Sequence, residues 1–150
     1  MQGFTQSTKK ADIQRTWHHI DVEDKILGRV GVEIAHLLMG KKKTYFVRNL
    51  DCGDYVIVTN AKKVKVTGRK EEQKTYYRHS MYPGGFRAET LKDLRARKPE
   101  DIIINAVKGM LPQNKLRAKM LKRLFVFAGA EHKYGEKFKV KSEKVKTDVQ

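Results

Sequence analysis

Gly40-Lys41-Lys42-Lys43-Thr44 is the stretch of this 150-residue chain that comes nearest to a catalytic phosphate loop. Such a loop needs a glycine five residues earlier, a hydroxyl residue directly after its lysine, and a helix that begins there. The first two positions hold Ala35 and Lys42, and the segment ends a helical pattern instead of starting one. A dinucleotide fingerprint fails as well, because Gly28 and Gly31 lack the tight Gly-x-Gly turn. Asp51 and Asp54 flank Gly53 and could in principle hold a metal; the expectation is a turn whose carboxylates accept local backbone N–H groups. His18 and His19 point to opposite faces of a strand and cannot chelate one ion together. His36, His79 and His132 have no ligand spacing, and no Ser/His/Asp set stands out. Cys52 is the single cysteine, with no base beside it in sequence. It is expected to pack or turn, and its solitude points to a reducing compartment without disulfides. No catalysis, metal, cofactor or small-molecule substrate is expected.

What remains is positive charge in four clusters. In residues 114–124 (NKLRAKMLKRL), Lys115, Lys119, Lys122 and Arg123 fall within about 100° of a helical wheel. Leu116, Met120 and Leu124 take the other side, with Arg117 among them, and no acid interrupts the segment. A solvated face ordinarily mixes signs and gains from i,i+4 pairs, so a single-sign face points to phosphates. Lys41, Lys42 and Lys43 end a second helix, where one lysine would already complement the helix dipole. A third cluster runs from Lys62 to Arg78 through Arg69, Lys70 and Lys74, with a turn at Thr67-Gly68. The fourth interleaves Tyr76, Tyr77, Arg78, His79, Tyr82, Phe86 and Arg87 around Pro83-Gly84-Gly85. Aromatic faces stack on unpaired bases while cations meet phosphates, although half of these aromatics are expected in the core.

The elements that must carry these clusters follow from periodicity. Residues 17–22 (WHHIDV) read as a strand, and 25–39 as a helix with Leu27, Val30, Ile34, Leu37 and Leu38 on one arc. Asp24 is placed to cap it and Gly40 to end it. Residues 55–60 (YVIVTN) form an apolar strand of the kind buried on both faces, completing a right-handed βαβ unit. Lys74 to His79 reads as a strand, 89–98 as a helix, and Pro99 opens another that buries Ile102, Ile103, Ala106, Val107 and Met110. The 114–124 helix and a strand from Phe125 to Ala128 follow. The alternation predicts an α/β fold.

The whole chain carries 33 Lys plus Arg against 17 Asp plus Glu, a net charge of +16. Each third of it is net positive, so the charge is not one appended tail. Charged residues make up 33% of the chain, against roughly 25% in an ordinary soluble domain. That surplus calls for a polyanion. No apolar run approaches the roughly 18 residues of a membrane span, the N-terminus has no signal-peptide h-region, and a membrane surface would need one amphipathic basic helix with bulky anchors. The Lys-rich end, KYGEKFKVKSEKVKTDVQ, reads either as a tail awaiting a partner or as a solvated terminus.

At Val107-Lys108-Gly109-Met110-Leu111-Pro112, followed by LFVFAGAEH (124–132), the chain closely resembles the thirteenth large-subunit ribosomal protein family. Trp17 and Asp21, LGR (27–29), Gly40 to Lys43, DCGDYVIV (51–58), VTGRK (66–70) and the segment at 77–85 extend the match over about residues 15–133. The resemblance implies a three-layer α/β/α domain around a mostly parallel sheet of about four strands. It would follow an N-terminal extension at 1–14 and precede the Lys-rich tail at 134–150. It further implies a non-catalytic constituent of a bacterial or organellar type of ribosome, in the cytoplasm or an organelle. Its partners would be large-subunit rRNA and neighbouring ribosomal proteins, with no membrane and no homo-oligomer, and it would support early subunit assembly. Lys41 to Lys43, Arg69, Lys70, Lys108, the 115–123 basics and Lys133 would then be RNA-facing. Glycine is usual in the bacterial form where this chain has Arg117, so that helix is expected to dock differently or to meet an extra phosphate.

Overall fold

A computed structural model of the protein describes residues 7–135. The strands β1 (Trp17–Asp21), β2 (Tyr55–Thr59) and β5 (Leu124–Val126) form a parallel sheet in the order β1-β2-β5. Trp17 pairs with Tyr55 and Val56 with Leu124. Between them lie α1 (Leu27–Met39), α2 (Lys70–Gln73), α3 (Leu91–Arg97), α4 (Pro99–Met110) and α5 (Arg117–Leu121). Strands β3 (Thr75–His79) and β4 (Phe86–Thr90) make a separate antiparallel hairpin. The protein is therefore α/β, and among the described residues its parallel sheet has three strands where about four were expected.

Burial shows how the layers form. Ile20, Val56, Val58 and Leu124 share one core with Val30, Ile34 and Leu38 of α1 and Ile102, Ile103 and Val107 of α4. Among the described residues both long helices thus cover the same sheet face, not one face each. The strand order advances in one direction from β1 through β2 to β5, and successive right-handed crossovers in one direction place their helices on one side. The opposite face carries aromatics, as strand alternation requires. Trp17 stacks on Tyr55 with centroids 4.4 Å apart, and Tyr134 returns to lie 4.8 Å from Phe125. Residues 136–150, most of the expected tail, lie outside the described residues.

Local expectations hold where packing agrees with them. Pro99 opens α4 with Glu100 and Asp101 in its first turn, and Gly40 ends α1 at φ 77°. A Cβ at Gly40 would also lie 2.6 Å from the Cys52 carbonyl oxygen. Asp24 does not cap α1: it sits at φ 58°, and the Leu27 N–H donates instead to the Lys65 carbonyl at 2.9 Å. A tertiary carbonyl has replaced the side-chain cap. Within α4, Met110 turns out 38% exposed. The helix expected over 89–98 begins only at Leu91, because residues 86–90 are drawn into the hairpin. Thr90 then caps α3, accepting the Asp93 N–H.

Candidate nucleic-acid interface

The residues singled out for chemistry divide into an internal set and an outward set. The loop before β2 holds the internal set together. The Asp51 carboxylate receives Nη1 of Arg123, and also Nη2 at 2.5 Å. Arg123 is 6% exposed, and its guanidinium further donates to the carbonyls of Leu38 and Asp54. It thereby satisfies a carbonyl in the last turn of α1, which a helix end otherwise leaves orphaned. Arg15 reaches the same loop, donating to the Gly53 carbonyl at 2.9 Å. Gly53 lies so near α1 that a Cβ there would stand 1.7 Å from the Leu38 carbonyl oxygen. Cys52 between them is fully buried, a packing residue.

Asp54 anchors the other half of this network. Lys43 Nζ lies 2.5 Å from one carboxylate oxygen and His18 Nε2 3.0 Å from the other, and the Thr16 N–H donates at 3.0 Å. Burial opposes ionisation of Asp54, but the hydrogen bonds from His18, Lys43 and Thr16 outweigh it and hold the carboxyl at about 2. The expected local Asx turn is replaced by long-range cation pairing. Because the folded value lies below the ordinary 3.8, the stabilisation is complete above about pH 4 and fades as pH falls toward 2. The urea midpoint of the native chain should therefore drop more steeply over that window than that of Asp54→Asn. Parallel curves for the two proteins would refute the linkage.

These pairs correct two of the expected RNA contacts. Arg123 does not face outward with the 115–123 basics, because its charge is spent inside against Asp51. Lys43 does not present a free ammonium beside Lys41 and Lys42, being 14% exposed and bonded to Asp54. The helix expected over 114–124 also contracts to α5, residues Arg117–Leu121. At its far end Leu124 is taken into β5 against Val56, and at its near end the Asn114 side-chain oxygen accepts the N–H groups of Leu116 and Arg117 across the turn that leads into α5. Arg117 is half-buried.

The outward set comprises Lys41, Lys42, Arg69, Lys70, Lys74, Arg78, Arg87, Lys108, Lys115, Lys119, Lys122 and Lys133, together with His79. All are exposed, and none of the twelve cations joins an ion pair with an acid among the described residues. On the hairpin, Arg78 stands directly opposite Arg87 in the strand register. Like charges so placed destabilise a strand pair, and a phosphate between them removes the penalty. The other hairpin face stacks Tyr77 on Phe86, 69% and 61% exposed. Tyr82 is exposed as well, so only Tyr76 of the four loop aromatics packs against the core.

Two clefts run between these cations. One, about 830 Å³, lies between the start of α1 and the end of α4 and is lined by Arg29, Lys70, Lys74 and Met110. The other, about 370 Å³, is lined by Lys41, Arg48, Pro112 and again Met110. Arg29 and Arg48 did not stand out in sequence. Arg29 belongs there to the LGR motif and to the helix pattern but to none of the four basic clusters, and Arg48 stands alone in a loop. Among the described residues no group of three His, Cys, Asp or Glu side chains could hold a metal ion. No helix there is long and apolar enough to cross a membrane.

Comparison with known proteins agrees with the motifs. The chain is 56% identical over 128 residues to the large ribosomal subunit protein uL13 of Dehalococcoides mccartyi strain BAV1, covering 85% of this chain and 90% of that protein. It is 53% identical to the protein of the same name from Oleidesulfovibrio alaskensis, covering 85% and 89%. The uL13 of Pelodictyon phaeoclathratiforme is 50% identical, with 85% and 86% covered. The ribosomal protein L13 family profile matches residues 15–133, and the chain belongs to that family.

Proposed function

We propose that this protein is a non-catalytic constituent of the large subunit of a bacterial-type cytoplasmic ribosome, binding large-subunit rRNA and supporting early assembly. One observation carries the RNA reading: twelve exposed cations join no ion pair among the described residues, whereas Asp51 and Asp54 of the internal motif are both paired. Charge left unneutralised on α2, β3, β4, α4 and around α5 calls for a folded polyanion that touches several elements. In this reading residues 15–133 form the binding domain, flanked by short extensions at 1–14 and 134–150. A single copy acts among neighbouring ribosomal proteins.

The test is charge reversal at Lys119 in α5 and Lys122 just after it, both exposed and outside the ion pairs of the described residues. The double variant Lys119→Glu, Lys122→Glu should keep its thermal transition and lose about tenfold or more in affinity for large-subunit rRNA. It should also be depleted from large subunits recovered after a high-salt wash. Unchanged affinity would overturn the assignment of this surface, and absence of the native protein from washed subunits would overturn the ribosomal role.

A further inference from the structure

Three glycines belong to the long helices: Gly31 lies inside α1, Gly28 is its second residue, and Gly109 is the last but one of α4. One has a neighbour: a Cβ at Gly31 of α1 would stand 2.9 Å from the Met110 sulfur, so the Met110 side chain from α4 lies directly over it. Gly28 in α1 and Gly109 in α4 have no such neighbour, since a Cβ at either meets nothing within 4 Å and neither has a positive φ. Both line the same cleft of about 830 Å³, together with Arg29, Lys70 and Lys74. A wall kept bare at two helical positions, with no internal neighbour to require it, leaves room for something from outside.

We propose that this cleft is an RNA socket. A nucleotide of the rRNA enters it, its flanking phosphates meeting Arg29, Lys70 and Lys74 while its body lies against Gly28, Gly109 and the Met110 side chain. This rests on the reading of the chain as an rRNA-binding protein. The volume is within the roughly 300–1,000 Å³ of sites that hold a compact ligand. Met110 also lines the second cleft, where Lys41 and Arg48 continue the cationic wall. A shared wall between two cationic clefts suits a polynucleotide strand that runs past Met110, where a lone small anion would need only one of them.

The test uses neutral side chains, so that electrostatics stay constant. In the full chain, Gly28→Gln with Gly109→Gln should leave the melting temperature unchanged or raise it, because glutamine is the better helix former. Affinity for large-subunit rRNA should nevertheless fall tenfold or more. In parallel, Arg29→Gln with Lys70→Gln should lower the slope of log affinity against log salt by about two. Affinity within twofold of native for the glycine variant would overturn the socket, and so would a lowered melting temperature, which would make the glycines structural. If the native chain binds rRNA and loses affinity on reversal at Lys119 and Lys122 while the glycine variant does not, the socket alone fails. If the native chain does not bind rRNA, the function itself fails.

Discussion

Asp51→Ala should lower folding stability by about 3–5 kcal/mol, the range for removing one partner of a buried ion pair. The cost comes from what is left behind. Arg123 is 6% exposed and would retain its charge against only the carbonyls of Leu38, Asp54 and Lys119. Those carbonyls belong to the end of α1, the residue before β2, and α5, so the loss spreads through the packing of all three. Replacing both members with apolar residues (Asp51→Leu with Arg123→Met) should recover much of the loss, since desolvation then falls away together with the attraction. Urea unfolding of the two variants measures this, and a loss under about 1 kcal/mol for Asp51→Ala would show the pair to be solvated in solution. The same experiment separates the basic residues by task. Removing Arg123 alone should cost stability on the same scale, whereas removing Lys119 or Lys122 should leave it nearly unchanged.

Affinity for large-subunit rRNA should fall by about 10³–10⁵ between 50 and 200 mM monovalent salt if six to ten phosphates are neutralised. The structure supplies enough cations for that number. Lys41, Lys42, Arg69, Lys70, Lys74, Arg78, Arg87, Lys108, Lys115, Lys119 and Lys122 are exposed and lie outside the ion pairs of the described residues. Each phosphate contact releases condensed counterions, and that release weakens as bulk salt rises. Contacts through the stacked Tyr77 and Phe86 carry no such dependence, so they should set the affinity that persists at high salt. Filter binding across a salt series measures the slope directly. A slope near zero would rule out phosphate clamping and leave stacking and shape as the source of affinity.

Much of the scaffold was legible because its signals are local or periodic. The arc of Leu27, Val30, Ile34, Leu37 and Leu38 predicted α1 and its buried face. Pro99 marked the start of α4 and Gly40 the end of α1. The run at 55–60 gave β2, buried on both sides. The β4 strand was missed because FRAET has a strand's character only when paired with residues 75–79. The length of α5 was missed in part because Leu124 leaves the helical pattern to pair with Val56 of β2. A wheel drawn over 114–124 cannot register that distant partner.

The sequence by itself determined the chemistry: a net charge of +16, no catalytic set, a βαβ opening, and ordered motifs that place the chain in its family. Tertiary structure decided which cations are available to a partner. Lys42 and Lys43 are neighbours of one type in one run, yet Lys42 is exposed while Lys43 ends 2.5 Å from Asp54. Arg123 adjoins Lys122 and turns inward to Asp51, 72 residues away in the chain. A charge is spent or free according to whether the fold brings an acid to it, and that depends on contacts between distant segments. Among the described residues the cations behind the polyanion reading are therefore not equivalent. Some, such as Arg123 and Lys43, hold the domain together, and others, such as Lys42 and Lys122, face outward outside any ion pair.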